Sequence, residues 1–392
     1  RGWLAGAYLE YMKLAEGLYR MEGSCNSYLV RTDAGCLLID PAGAAQAPEL
    51  FTSVLERFPL RAILLTHAHA DHADGIAAWR RGRDIPVVAQ REFVRQREYA
   101  DELAGFFARR NAIWEGRPAA PAAAPAPAQE RPNTYFDEEY GLALGPLHVR
   151  MVHTPGETPD QATILIPELG AVFCGDNYYE YFINNSTFRG TLPRPVKGYL
   201  RALDLALAAA PELFLPGHGA PLVGRASVQR TAGGFRDALR RLHDEAVRGI
   251  NEGKDAYGLM REARLPADIP QVFGKAEWTA RGIWQEYVGW FDEHPASMYA
   301  QPLSRVYPDL VRLAGAGAIV RRAEECLERG ENVSVLHLTD VVLKAEPTNR
   351  QAHEARLKAL RALRGGTRNY IERIWLDHGI RLAEEALKGG AR

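Results

Sequence analysis

Thr66-His67-Ala68-His69-Ala70-Asp71-His72 places three imidazoles and a carboxylate within six positions. It continues Arg61-Ala-Ile-Leu-Leu-Thr66, a short apolar run that reads as a buried strand. A strand that runs straight into a polar loop is how α/β proteins present chemistry. Neutral imidazole and carboxylate are the nitrogen and oxygen donors of zinc and similar divalent metals. His67 and His69, alternate residues of an extended loop, reach one metal, while Asp71 and His72 point to a second. A merely solvated loop rarely collects four donors at this spacing.

The flanking sequence repeats the strand-then-loop pattern. Before it come short strands within Gly17–Met21, Asn26–Val30 and Cys36–Asp40, separated by Gly23 and by Asp33-Ala-Gly35. Ala47–Phe58 has helical periodicity. After it come a helix at 75–81, a strand at 85–90, a helix at 91–111, and strands at 147–152, 162–166 and 171–174. Residues 1–224 therefore read as one α/β domain. Within it, residues 117–130 are rich in alanine and proline, whose spaced prolines favour an extended flap or insertion over a helix.

Beyond Gly224 strand signals fade and helical stretches take over, at 225–251, 278–291, 308–329, 333–345 and 350–363. Residues 225–392 read as a second, all-α domain. In it, Ala318–Leu363 pairs two helices around Gly330 and sets Pro347 and Asn349 before a third, which resembles one tetratricopeptide-type hairpin as much as ordinary antiparallel packing.

Composition excludes several classes. Lysine and arginine total 48 against 49 acidic residues, so no net positive field favours nucleic acid. No apolar run approaches the about 20 residues of a membrane span. The amino-terminal stretch, broken by Glu10, Lys13 and Glu16, reads as neither span nor intact signal peptide. A start at Arg1 leaves a removed leader open, so the expectation is a soluble chain of cytoplasm or periplasm. The four cysteines lack CxxC spacing and read as buried thiols.

His67-x-His69-x-Asp71-His72 after a strand is the signature of the metallo-β-lactamase superfamily, which this chain resembles from about Gly17 to Gly224. Asn26–Pro41 resembles that fold's opening strands, and Val152-His-Thr-Pro-Gly-Glu157 its second ligand loop. Phe173-Cys-Gly-Asp176-Asn resembles the strand end with a bridging aspartate, and Leu215-Pro-Gly-His218-Gly the last histidine loop. Glu157 stands where the superfamily usually has histidine, which is similar to its alkyl sulfatases. Asn184-Asn185-Ser-Thr-Phe-Arg189-Gly190 and Tyr287-Val-Gly-Trp290-Phe-Asp292-Glu-His-Pro295 resemble two further segments of that subgroup, in which a helical dimerisation domain follows the catalytic one. Gly175-Asp176-Asn177 departs from the subgroup's Ala-Glu-Asn.

The resemblance implies an αββα sandwich followed by a helical, partly tetratricopeptide-like dimerisation domain, and hence a homodimer. It implies two zinc ions per chain, a donor set that also accepts iron or manganese. His67, His69 and Glu157 would hold one, Asp71, His72 and His218 the other, with Asp176 bridging. His153 is the other candidate in the second ligand loop. A metal-bridging hydroxide would cleave alkyl sulfate esters, with Asp71, Asp176 and Arg189 as catalytic residues. With Asp71, Glu157, Asp176 and that hydroxide, about four negative charges meet four positive ones. A near-neutral cluster then needs an anion clamp, and Arg189 suits it because a guanidinium holds two sulfate oxygens. Asn185 and Tyr287 join it as substrate contacts, and Tyr178, Tyr179, Tyr181 and Phe182 suggest a slot for an apolar tail, so the substrate is expected to be a small anionic amphiphile. Two alternatives stand beside this: hydrolysis of another ester (lactone, thioester, β-lactam or phosphodiester), and a non-catalytic helical scaffold with a relic metal site.

Overall fold

The computed structural model describes residues 11–43, 52–117, 130–185, 188 and 190–389. Arg189, most of the alanine-proline stretch and the first half of the helix expected at 47–58 lie outside them. Two sheets dominate. In chain order, β1 (Tyr11–Ala15), β2 (Leu18–Glu22), β3 (Asn26–Thr32), β4 (Gly35–Ile39), β5 (Leu60–Leu64), β6 (Val87–Gln90) and β7 (Thr134–Phe136) form the first. The first four pair antiparallel, and β4 to β7 run parallel. The second holds β8 (Glu139–Leu144), β9 (Leu147–His153), β10 (Ala162–Ile166), β11 (Ala171–Gly175), β12 (Leu213–Pro216) and β13 (Leu222–Val223). It is antiparallel except for the parallel pair β11 and β12.

The central strands β4, β6, β10, β11 and β12 are buried on two faces and read as continuous hydrophobic runs, whereas β8 and β9 alternate buried and exposed positions. In β4, Leu37 and Ile39 face Ile164, Phe173 and Leu215 of the other sheet, while Cys36 and Leu38 turn to a helical layer containing Ile76 and Trp79. In β11, Ala171 and Phe173 face inward, while Val172 and Cys174 pack against Leu203 and Leu239 on the outside. A strand's two-residue period makes this division automatic. The result is helix, sheet, sheet, helix, and each Leu, Ile or Phe buried this way contributes about 1.5–3 kcal/mol. All four cysteines are buried and free.

Within the described residues the chain divides into two compact units, one of residues 11–104 and 130–287, the other of 105–117 and 288–389. The division thus falls after Tyr287 rather than at Gly224. The helices Gly234–Asn251 and Ala276–Val288 place Leu239, Leu242, Ala280 and Ile283 in the cluster that covers Val172 and Phe214. An amphipathic helix buries its apolar stripe on whatever apolar face is free, and here that is the outside of the second sheet.

In the second unit, helices span Tyr307–Ala314, Ala316–Glu328, Asn332–Ala345, Arg350–Gly366 and Tyr370–Gly389. The single helix expected over 308–329 breaks at Gly315, whose φ of 83° a helix cannot contain. Ala323, Cys326, Val335, Ala355 and Ala359 form part of this unit's core. No helix among the described residues is long and apolar enough to cross a membrane.

Candidate metal centre

The chemistry-bearing residues lie where strands end. β5 runs into Thr66 and His67, β4 into Asp40, β9 into His153, β11 into Asp176, and β12 into Gly217 and His218. Backbone bonds join the loops of the two sheets: Asn26 N donates to Gly217 O at 2.7 Å, and Ala162 N to Thr66 O at 2.7 Å. Ligand atoms from distant positions are thereby fixed against each other.

They form two trios. His67, His69 and Asp176 offer donor atoms within 4.8 Å of one another, and so do Asp71, His72 and His218. Asp176 belongs to both neighbourhoods: its Oδ2 lies 4.0 Å from His67 Nε2 and 3.3 Å from His218 Nε2, and its Oδ1 lies 3.5 Å from His72 Nε2. Asp71 Oδ2 is 3.2 Å from His218 Nε2. Donors held at about 2.0–2.2 Å around a tetrahedral zinc stand roughly 3.4 Å apart. Asp176 Oδ1 is buried without a hydrogen-bond partner, an expensive arrangement unless a cation supplies the missing contact. The donor set therefore fits a divalent metal.

Glu157 stands at the edge of the first trio, its Oε1 3.9 Å from His69 Nδ1. Its Oε2 accepts from Arg194 Nη1 at 2.6 Å and from the Tyr199 hydroxyl at 2.7 Å. His153 turns the other way, its Nε2 2.7 Å from the carbonyl of Pro159. Asn185 is buried with Oδ1 unpartnered, in the loop that Phe188 anchors by an edge contact of 4.5 Å with Trp278. Tyr287 is placed against different neighbours, its hydroxyl 2.9 Å from His243 Nε2 and its ring beneath the Lys197 ammonium at 5.4 Å.

The electrostatics prepare donors for a cation. Burial and the neighbouring histidines hold His67 well below its ordinary pKa. Burial and then the Arg194 charge push His69 down to about 3, so both rings are neutral donors. Burial works against the ionised Asp176, yet His218 and His72 outweigh it and hold the carboxyl well below its usual range. Burial pushes Glu157 up to about 7 against the pull of Arg194. His72 is held high despite burial by Cys25, Asp176, Asp71 and Asp40, and a cation at that position takes the place of its proton.

Three residues of the surroundings escaped sequence reading. Asp40 Oδ2 is 2.9 Å from His72 Nδ1 and accepts from Thr66 Oγ1 at 2.6 Å, and its Oδ1 accepts from Thr66 N at 2.8 Å. It leaves His72 Nε2 facing the donors, as carboxylate partners of metal-binding histidines do. The usable signal was Asp40's place at the end of a strand running parallel to β5. Arg194 and Tyr199 carry no such signal.

Gly217 brings the β12 loop close to the cluster, and a Cβ there would overlap Asp176 Oδ1 and approach His72 Cε1 to 2.7 Å. Gly217→Ala should therefore displace a donor and cost about 1–3 kcal/mol. Thermal unfolding together with metal analysis checks this, and a variant with unchanged stability and metal content would show that the approach is unimportant.

A family model described as metallo-beta-lactamase superfamily matches residues 20–218, half of the chain. The chain belongs to the metallo-beta-lactamase superfamily. A second family model, alkyl sulfatase dimerisation, matches residues 264–382. This superfamily member is 22% identical over 395 residues to a linear primary-alkylsulfatase of Pseudomonas sp. (strain ATCC 19151), covering 92% of this chain and 74% of the relative. It is 21% identical to an alkyl/aryl-sulfatase of Saccharomyces cerevisiae, covering 90% of this chain and 60% of that protein. Among solved structures it is similar in fold to a stereoselective inverting sec-alkylsulfatase from Pseudomonas sp., with a TM-score of 0.83 and 21% identity over 96% of this chain and 66% of that one. The chain thus spans about three fifths to three quarters of the length of these relatives.

Proposed function

We propose that this chain is a two-zinc hydrolase of alkyl sulfate esters that works as a homodimer. The observation that supports the reading is Asp176, a member of the first donor trio whose oxygens also lie 3.3 to 3.5 Å from His218 and His72 of the second, in a chain that pairs a metallo-beta-lactamase superfamily match over 20–218 with an alkyl sulfatase dimerisation match over 264–382. His67, His69, Glu157 and Asp176 would hold one metal, and Asp71, His72, His218 and Asp176 the other. When bound, the metals supply a water acidified towards neutrality and a Lewis acid for the ester oxygens. The protein's own part is orientation. Asp40 holds the His72 ring with Nε2 inward, and Arg189 and Asn185 are assigned to the sulfate oxygens. Tyr178 and Phe182 pack into the core against Phe235 rather than lining a slot, which leaves Tyr181, 38% exposed, as the aromatic of this stretch open to an alkyl tail.

Inorganic sulfate release from a short and a long alkyl sulfate, before and after chelation, tests this. Release that needs metal and is lost in Arg189→Ala with both metals retained supports the reading. Two bound metals without any sulfate release would sink the substrate assignment. A second reading, hydrolysis of another ester at the same metals, is favoured by Gly175-Asp176, which stands closer to the general superfamily pattern than to the sulfatase one; turnover of a lactone or thioester without sulfate release selects it.

A further inference from the structure

Glu157 is divided between two kinds of neighbour. One oxygen, Oε1, faces the first donor trio at 3.9 Å from His69 Nδ1. The other accepts two hydrogen bonds, from Arg194 Nη1 at 2.6 Å and from the Tyr199 hydroxyl at 2.7 Å. The backbone is fixed too, since Glu157 N donates to Asn177 Oδ1 at 3.0 Å and Asn177 Nδ2 donates to Thr154 O at 2.8 Å. Arg194 is itself tied down: its Nε donates to Thr191 Oγ1 at 3.0 Å, and its Nη1 also reaches Asn184 O at 3.3 Å. The side chains of Arg194 and Glu157 are each only 8% exposed. Burying a guanidinium is costly unless it is paired and hydrogen-bonded, so its place beside Glu157 calls for a reason.

We propose that Arg194 is a positioning residue for the first metal. It occupies Oε2 of Glu157, leaves Oε1 as the single donor, and cancels the carboxylate's charge, so that the pair offers a cation what one neutral imidazole would. Asp71, Glu157 and Asp176 bring three carboxylates to the centre, and Arg194 offsets the one that replaces a histidine. An arginine suits this better than lysine, because its planar fork serves Glu157 and the Asn184 carbonyl through Nη1 while Nε holds Thr191 Oγ1, and it stays charged at any working pH. The inference rests on the reading of Glu157 as a metal donor.

The test measures zinc content by elemental analysis, and zinc release to a chromophoric chelator, for the full chain and for Glu157→Ala, Arg194→Met, Glu157→His and the double variant Glu157→His/Arg194→Met. Arg194→Met should release one of two zinc ions on the order of 10- to 100-fold faster, the range lost with an outer partner of a metal ligand, and leave the other unchanged. Glu157→His alone strands the buried guanidinium and should not restore slow release. The double variant should, because an imidazole needs no counter-charge.

Wild-type release from Arg194→Met, alongside loss of one zinc in Glu157→Ala, overturns the role of Arg194 and leaves Glu157 a donor. Two tightly held zinc ions in Glu157→Ala overturn the donor reading itself, and Arg194's role with it. If Arg194→Met fails to fold, the double variant decides: two slowly released zinc ions support the proposal, and a double variant that misfolds or releases zinc quickly overturns it.

Discussion

Asp176→Ala is expected to empty both metal positions together. Asp176 is the residue whose two oxygens look towards both trios, at 3.3 to 4.0 Å from His67, His72 and His218, and its Oδ1 has no other partner. Removing any unshared donor leaves the other metal all four of its candidate donors, but removing this one opens both. Zinc affinity should fall by more than the about 10- to 100-fold that loss of an outer partner costs, with activity following. Elemental analysis after gel filtration reads it directly. Retention of two zinc ions per chain, or loss of one only, would contradict a shared donor. Asp176→Asn, which keeps the shape but not the charge, should fall between the two.

Asp40→Ala should have the second largest effect, on stability as well as on metal. Asp40 is 2% exposed and satisfies Thr66 N, Thr66 Oγ1 and His72 Nδ1 together. Truncation leaves Thr66 N and His72 Nδ1 unpaired while Thr66 Oγ1 keeps His67 Nδ1 at 3.1 Å, and two unpaired buried groups at about 1–3 kcal/mol each give an expected loss of about 2–6 kcal/mol against a typical domain stability of about 5–15 kcal/mol. It also frees the His72 ring, which should weaken the second metal position by about 10- to 100-fold. Denaturant unfolding of zinc-free and zinc-loaded protein separates the two contributions: the zinc-free variant should already unfold earlier, and added zinc should stabilise it less than it does the wild type. An unchanged unfolding midpoint would show that Thr66 and His72 find other partners.

Much of the catalytic unit is legible in the chain because its signals are local. Arg61–Thr66 followed by His67, His69, Asp71 and His72 is a strand and its loop, and neighbouring positions there stay neighbours after folding. The strands at 162–166 and 171–174 are legible because burial on both faces makes them continuous apolar runs, and 147–152 because its apolar and polar residues alternate as one face is buried. The helix break at Gly315 and the packing of residues 234–287 on the second sheet are not, because both depend on which apolar face a helix finds free.

The site follows the same division. Sequence by itself determined the donor types: the histidine-rich loop, a carboxylate at 157 in place of an imidazole, Asp176 after a strand, and His218 in a Pro-Gly-His turn. Only the tertiary structure decided which of them meet, that Asp40 sits behind His72, 32 residues away in sequence, and that Arg194 and Tyr199 close on one oxygen of Glu157. Donor chemistry is a property of a residue, whereas a buried pairing arises only where strand ends from two sheets are packed together and water is driven out, which makes an unpaired charge too costly to leave alone.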